Sequence, residues 1–375
     1  MPLDPTLMPR PVGVRAAGAF LLFVLAALGS ASSGRAQSCV LTRIDSPVLN
    51  AFDPSFDPEA ESRKWLVSFG YRYGEGGRHF VGTEEQEERQ DEGSEVINEV
   101  NLLDVSVRRT FDARSSLEVG IPYLMAVREG PIRNEERELI GRQVRSNTRG
   151  IGDITAIYHR LVWDPATHGH ANLDLGVGIK FPTGDNSQHD SMLDYQDGEL
   201  VTVVETADQS VQPGDGGWGL ILQASGYRLF NAAGTVAGYA SGAYIIEPEG
   251  TSGTLTYRSR ESEAVMSIAD QYVARLGAQL APLSWKSWSV GLGGRWEGIP
   301  VHDLFGSSEG FRRPGYIISV EPSVAWTRGV NTVQLAVPVA VQRNRQASVP
   351  DIERGGHGDA SFPDYVVLLG YSHRF

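Results

Sequence analysis

The order of its connections constrains this chain more than its composition does. Twelve stretches alternate apolar and polar side chains with a period of two, at approximately 64–73, 98–109, 117–128, 151–162, 171–181, 217–229, 235–246, 268–280, 287–297, 315–326, 332–342 and 363–375. Successive strand residues point to opposite faces, so each stretch would present one apolar and one polar surface. An ordinary globular strand has about 5–6 residues, whereas a strand tilted near 45° needs about 9–11 to cross a bilayer; these mostly run 10–13. The segments between them are alternately long and short. The long ones are "GEGGRHFVGTEEQEERQDEGSE", 129–150, 182–216, 247–267, 298–314 and 343–362, and the short ones "TFDARSS", 163–170, 231–234, 281–286 and 327–331. A soluble sandwich has no reason to sort loop length by side, whereas outer-membrane barrels join an even number of strands by short periplasmic turns and long external loops. The expected fold is all-β: a single antiparallel transmembrane β-barrel of about twelve strands over residues 64–375.

The first residues fit an exported protein. Arg10 and Arg15 precede the apolar run "AAGAFLLFVLAALG", and "SASSGRAQS" then places small Gly34 and Ala36 before Gln37. This is the layout of a secretory signal peptide, residues 1–36, with an apolar stretch short for a membrane helix. Residues 37–63 then form an N-terminal periplasmic or plugging segment. Without residues 1–36 the formal charge falls from −13 to −15, which argues against a nucleic-acid partner. Cys39 is the single cysteine, so no disulfide forms within the chain. No later stretch of 18 or more apolar residues exists, which excludes a helical membrane protein.

Aromatic placement offers a check. If odd-numbered strands run outward, Trp65, Trp288, Trp326 and Phe375 fall at inner ends, and Tyr73, Phe181, Trp218, Tyr272, Trp296, Tyr316 and Tyr365 at outer ends. Two rings of aromatics at strand ends are interfacial girdles, whereas aromatics that fill a core would be scattered in height. The tail "DYVVLLGYSHRF" is then a closing strand. Its terminal Phe375 resembles the C-terminal signature of outer-membrane barrels, which implies recognition by the barrel assembly machinery. His373 departs from the hydrophobic residue usual in that place.

"GIGDITAIYHRL" (150–161), "LDLGVGIKFPTGD" (173–185), "GFRRPGY" (310–316), "VPVAVQRNRQAS" (337–348) and "HGDASFPDYVVLLGYSHRF" (357–375) together resemble the outer-membrane family named after the phenol-degradation meta-pathway. The resemblance spans about residues 100–375. It implies a porin-like barrel for passive transport of small hydrophobic or aromatic compounds, with no cofactor.

The second face of each strand would line the lumen, and it carries both charge signs. The candidate solute-path residues are Arg72, Asp104, Arg108, Glu118, Asp174, Lys180, Arg275, Arg295 and Glu321, on the same face as Asp153, His159, Gln271, Glu297, Gln334 and Asp364. Two readings coexist: a charged path that selects a solute, or paired ladders that fill a narrow interior. Inward Gly176, Gly178, Gly291 and Gly293 either leave room for a solute or relieve crowding where the barrel bends. Pro182 and Pro338 mark strand ends or irregularities.

The long connections raise further possibilities. Acidic clusters at Glu84–Glu95 and Asp185–Glu199 lack the ligand spacing of a calcium loop and read as solvated surface rather than a metal site. Arg128, Arg133, Arg137, Arg142, Arg145 and Arg149 suit anionic headgroups of lipids and lipopolysaccharide. A lipid-modifying hydrolase is an alternative, with His302-Asp303 or His357 and Asp359 near Ser307, Ser308 or Ser348, but no local nucleophile motif supports it. "GIGD" and "TGD" lack the spacing of a phosphate loop. A structural or adhesive barrel acting through its loops is a third class.

Overall fold

The computed structural model describes residues 64–375 apart from Ser259. The expected signal peptide and the segment 37–63 lie outside the described residues. Twelve strands close into one antiparallel barrel. They are β1 (Trp65–Val81), β2 (Ile97–Thr110), β3 (Ser115–Arg133), β4 (Leu139–Ile151, resuming as Thr155–Leu161), β5 (Ala171–Lys180) and β6 (Gly219–Leu229). There follow β7 (Val236–Ile246), β8 (Gln271–Leu280), β9 (Trp288–Ile299), β10 (Gly315–Arg328), β11 (Asn331–Ala336, resuming as Val339–Arg345) and β12 (Ala360–Arg374). Each pairs with its neighbours in sequence. The ring shuts where β12 pairs with β1, from Leu66 opposite Arg374 to Phe80 opposite Ala360. The Phe375 amide adds a bond to the Trp65 carbonyl, 2.8 Å.

The period-two pattern is realised as an oily outside and a polar inside. On β5, Leu175, Val177 and Ile179 are exposed, whereas Asp174 and Lys180 on either side of them, and the glycines between, are buried. Phe69 and Tyr371, opposite each other across the seam, stack on the outer surface with ring centres 6.3 Å apart. The outer girdle is continuous over four strands: Tyr244 to Tyr272 at 6.3 Å, Tyr272 to Trp296 at 5.0 Å and Trp296 to Tyr316 at 6.4 Å. Trp288 and Trp326 stand opposite each other at the inner rim. Among the described residues no helix is long and apolar enough to cross a membrane.

Several long loops are shorter than the sequence suggests, because their strands continue beyond the bilayer. β1 runs through the glycine-rich "GEGGRHFV" to Val81, and β3 and β4 extend as a ribbon across the expected loop 129–150. Backbone pairing overrides the turn signal there, since glycine permits a strand as well as a turn. Loop 182–216 contains a hairpin of its own, His189–Gln196 against Glu199–Thr206.

Both broken strands face a proline in the adjacent wall strand. Pro122 on β3 accepts from the Gly152 amide at 2.8 Å, and Pro322 on β10 accepts from the Val337 amide at 3.0 Å. A proline has no N–H to return, so the ladder stops at each place. At the first break the Gly152 carbonyl instead accepts the Thr183 hydroxyl at 2.9 Å, and Thr183 Oγ1 accepts the Ile154 amide at 2.9 Å. The Asp153 carboxylate takes the amides of Gly184, 2.9 Å, and Asp215, 3.2 Å. "GIGD" and "TGD" thus form a clasp that repairs an interrupted strand. Pro338 lies in the second break, and its carbonyl accepts the Val366 amide at 3.0 Å.

Candidate functional site: the lumen and its outer mouth

The barrel interior is crossed by charge. Arg72 on β1 donates to Glu297 on β9 at 2.8 Å, and those strands are not neighbours, so this bond bridges the lumen. Arg295 donates to Glu297 at 2.9 Å and approaches Glu321 at 3.7 Å. Arg275 donates to Glu321 at 3.0 Å through Nε. Arg295, Glu297 and Glu321 are all but inaccessible to solvent, at 1%, 1% and 0%. The five side chains form one alternating lattice in which each carboxylate meets two guanidiniums, the pairing that makes buried charge tolerable.

A second group stands on the opposite arc. Arg108 on β2 donates to Glu118 on β3 at 2.9 Å and to Asp174 on β5 at 3.4 Å. His159 joins it, with Nδ1 3.0 Å from Asp174 and Nε2 3.3 Å from Arg108. Nearer the outer end, Lys180 bonds Asp215, lies 2.6 Å from Glu247 and 3.6 Å from Asp153. Three carboxylates share one ammonium. Burial and the Asp215 charge push the Glu247 carboxyl well above the usual carboxylate range, against the opposing pull of Lys180.

Of the sequence candidates, the structure therefore joins Arg72, Arg275, Arg295 and Glu321 in one lattice, and Arg108, Glu118 and Asp174 in another. Lys180 belongs to a third cluster. Asp104 is half-buried opposite Pro122. Between the charged groups lies an inward apolar patch, Ile157, Ile221 and Ile245, on β4, β6 and β7.

The inward glycines relieve crowding by neighbouring side chains and backbone. Tyr239 on β7 lies flat across the adjacent strands: a Cβ on Gly277 would sit 2.5 Å from its hydroxyl and one on Gly293 2.6 Å from it. A Cβ on Gly291 would meet the Ser323 hydroxyl at 2.5 Å, and one on Gly178 the Ala156 carbonyl at 2.5 Å. These glycines admit large neighbouring side chains and close strand approach. Period-two reading shows which way a glycine faces, but not which side chain covers it.

Residues missed by sequence reasoning line the outer mouth. Residues 207–213 fold inward, and Ala207 and Val211 pack against Leu102, Leu124 and Ala126 of β2 and β3. Gln212, fully buried, bonds Gln188 and the Ala207 carbonyl, 2.9 Å. Asp208 receives both guanidinium nitrogens of Arg313, at 2.8 and 2.7 Å, and the Tyr257 hydroxyl at 2.9 Å, with Arg128 at 3.6 Å. Burial alone would raise its pKa, but Arg128 and Arg313 outweigh that and hold the carboxyl well below the usual range. Arg128, which the sequence suggested for lipid headgroups, thus points into the mouth. The other loops are latched to one another: Arg345 donates to Asp351 at 3.1 Å, and Arg354 of the same loop to Glu263 at 2.7 Å.

Several of the groups suggested for hydrolysis have other partners. Ser348 and Asp351 form a helix capping box, Asp303 is held by Arg312 at 2.6 Å, and Asp359 by His79 at 2.6 Å. Among the described residues no group of three or more His, Cys, Asp or Glu is placed to hold a metal ion.

A closed, even-stranded antiparallel barrel with an oily girdled exterior and a charged interior is an outer-membrane barrel, and the outer membrane is where such a protein resides. The fold is similar to that of the COG4313 outer membrane channel from Pseudomonas putida F1, with a TM-score of 0.51 at 12% identity over 89% of this chain and 100% of that one. The P. putida toluene transporter TodX matches at TM-score 0.44 and 8% identity, covering 88% and 93% of the two chains. The β domain of the Bordetella autotransporter BrkA matches at 0.44 and 12%, covering 83% and 99%. At these identities the likeness is one of fold. No family model matches the chain, and no curated protein matches it in sequence.

Proposed function

We propose that this protein is an outer-membrane channel for the passive passage of small hydrophobic or aromatic solutes, acting without cofactor or covalent chemistry. The observation that carries the proposal is the cross-lumen lattice centred on Arg72 and Glu297. It leaves no wide water column of the general-porin kind, yet it is held by side chains that can exchange partners. The apolar patch of Ile157, Ile221 and Ile245 gives a hydrophobic solute a surface inside the wall. Arg72, Arg275, Arg295 and Glu321 form the constriction in this reading. Arg108, Glu118 and Asp174 line the opposite arc, and Asp104 and Lys180 complete the path. The solute is one partner. The others are lipopolysaccharide and lipid around the barrel, and the assembly machinery that engages the terminal strand through Phe375.

The test is entry of a small aromatic such as phenol into liposomes containing the purified protein. Faster entry than into empty vesicles, with little conductance for ions, is expected; equal rates in the two preparations would sink the channel reading.

A further inference from the structure

Above the lumen lattice, the outer mouth encloses a cavity of about 480 Å³. Its wall is dominated by arginine, in a chain whose formal charge is −13. Arg128 and Arg313 lie on one side, both engaged with Asp208. Arg89 is tied to Asp359 at 2.9 Å, which also meets His79. Arg258 pairs with Glu263 at 3.0 Å and lies 3.8 Å over the Phe311 ring, while its buried Nε has no partner.

Three more line the cavity without any ion pair among the described residues: Arg133, Arg137 and Arg145. Arg133 donates to the Arg137 carbonyl at 2.7 Å, which holds the two together. Two of the three carboxylates of that turn bond other groups, Glu138 the Asn134 side chain at 3.0 Å and Glu135 the Gly198 amide at 3.2 Å, and among the described residues no ion pair joins the third, Glu136, to these arginines. Glu205 feels the Arg145 charge but forms no bond with it. Seven guanidiniums thus face Asp359, Asp208 and Glu263, with Glu205 at longer range. That leaves an excess of positive charge within a concave site.

A cleft lined by one sign of charge concentrates the opposite ion. Guanidinium forks match the two oxygens of a carboxylate or phosphate better than a spherical halide. The remaining wall is supplied by the polar His79, Ser94, Asp359 and Ser361 and by Tyr257, Val96, Pro131 and Ala360, the last four of which give an apolar or aromatic body a surface behind the anionic head. We propose that this vestibule is a binding site for a small organic oxyanion, with an aryl carboxylate as its representative. This goes beyond the channel reading and does not depend on it, because binding is measured without transport.

The experiment titrates benzoate, benzyl alcohol and inorganic phosphate into the purified barrel in neutral detergent at low salt, read by calorimetry. Saturable benzoate binding is expected, competed by phosphate and weakened at least tenfold in the triple variant Arg133→Gln, Arg137→Gln, Arg145→Gln. The control Arg149→Gln, an exposed β4 residue that does not line the cavity, should bind as the parent does. Retained heat-dependent migration on a gel confirms that the triple variant is folded. Benzyl alcohol binding as tightly as benzoate, benzoate binding unchanged in the triple variant, or no saturable benzoate binding would each overturn the assignment.

Discussion

Arg72 and Glu297 meet at 2.8 Å from strands that share no backbone bond. A contact of this kind narrows the lumen and braces the barrel at once. Removing one partner of a buried pair costs about 3–5 kcal/mol because the other charge is stranded. Arg72→Ala should therefore lower the urea midpoint and raise single-channel conductance in a planar bilayer. The double variant Arg72→Ala, Glu297→Ala should regain part of the stability while staying conductive. Unchanged conductance in both variants would show that the constriction lies elsewhere.

Asp208 anchors the infolded residues 207–213. Its carboxyl is held low in the folded state, so its stabilising contribution is complete above the ordinary carboxylate range and is lost as pH falls through the lowered value. At neutral pH, Asp208→Asn should release the segment by leaving Arg128 and Arg313 without their counter-charge. New proteolytic cleavage within 207–215 at pH 7 is the expected readout, with the parent protein cleaved there only in strong acid.

Glu247 behaves in the opposite sense. Its folded-state pKa is raised, so its contribution is greatest below the unfolded value and is lost as pH rises toward the folded one. Glu247→Gln should match or exceed the parent in urea resistance at pH 8, and the difference should shrink near pH 5. A marked loss of stability at pH 8 would mean that Lys180 depends on an ionised Glu247.

The Thr183 hydroxyl stands in for the N–H that Pro122 lacks. Thr183→Val keeps the shape but leaves the Gly152 carbonyl unsatisfied, at a cost of about 1–3 kcal/mol. Thr183→Ser should restore stability. Equal urea midpoints for the valine variant and the parent would dismiss the clasp.

All twelve wall strands were legible, because a bilayer-facing strand must alternate along its whole crossing and that alternation fixes which face each residue takes. The facing of Arg72, Arg275, Arg295 and Glu321 was legible for the same reason. Their pairing was not: which residue of β9 meets Arg72 depends on strand tilt, stagger and barrel diameter, none of which is a local property. The infolded segment was hidden for a different reason. Asp208 and Val211 lie in a long connection where no periodicity operates, and their burial arises only once β2 and β3 present Leu102 and Leu124 to them. The glycines were legible as relief of crowding but not in what crowds them, since Tyr239 covers Gly293 from two strands away.

The seam between β12 and β1 joins the two most distant parts of the described chain. Every other wall contact can form between near neighbours in sequence, whereas this one must await a long-range search, the slowest kind of event in sheet formation. Until it succeeds, two strands carry unsatisfied backbone along their full length and can template onto any other chain. The final step of folding is therefore also the moment of greatest exposure to misassembly, and a mutation that weakens this join alone should show itself as aggregate rather than as an altered channel.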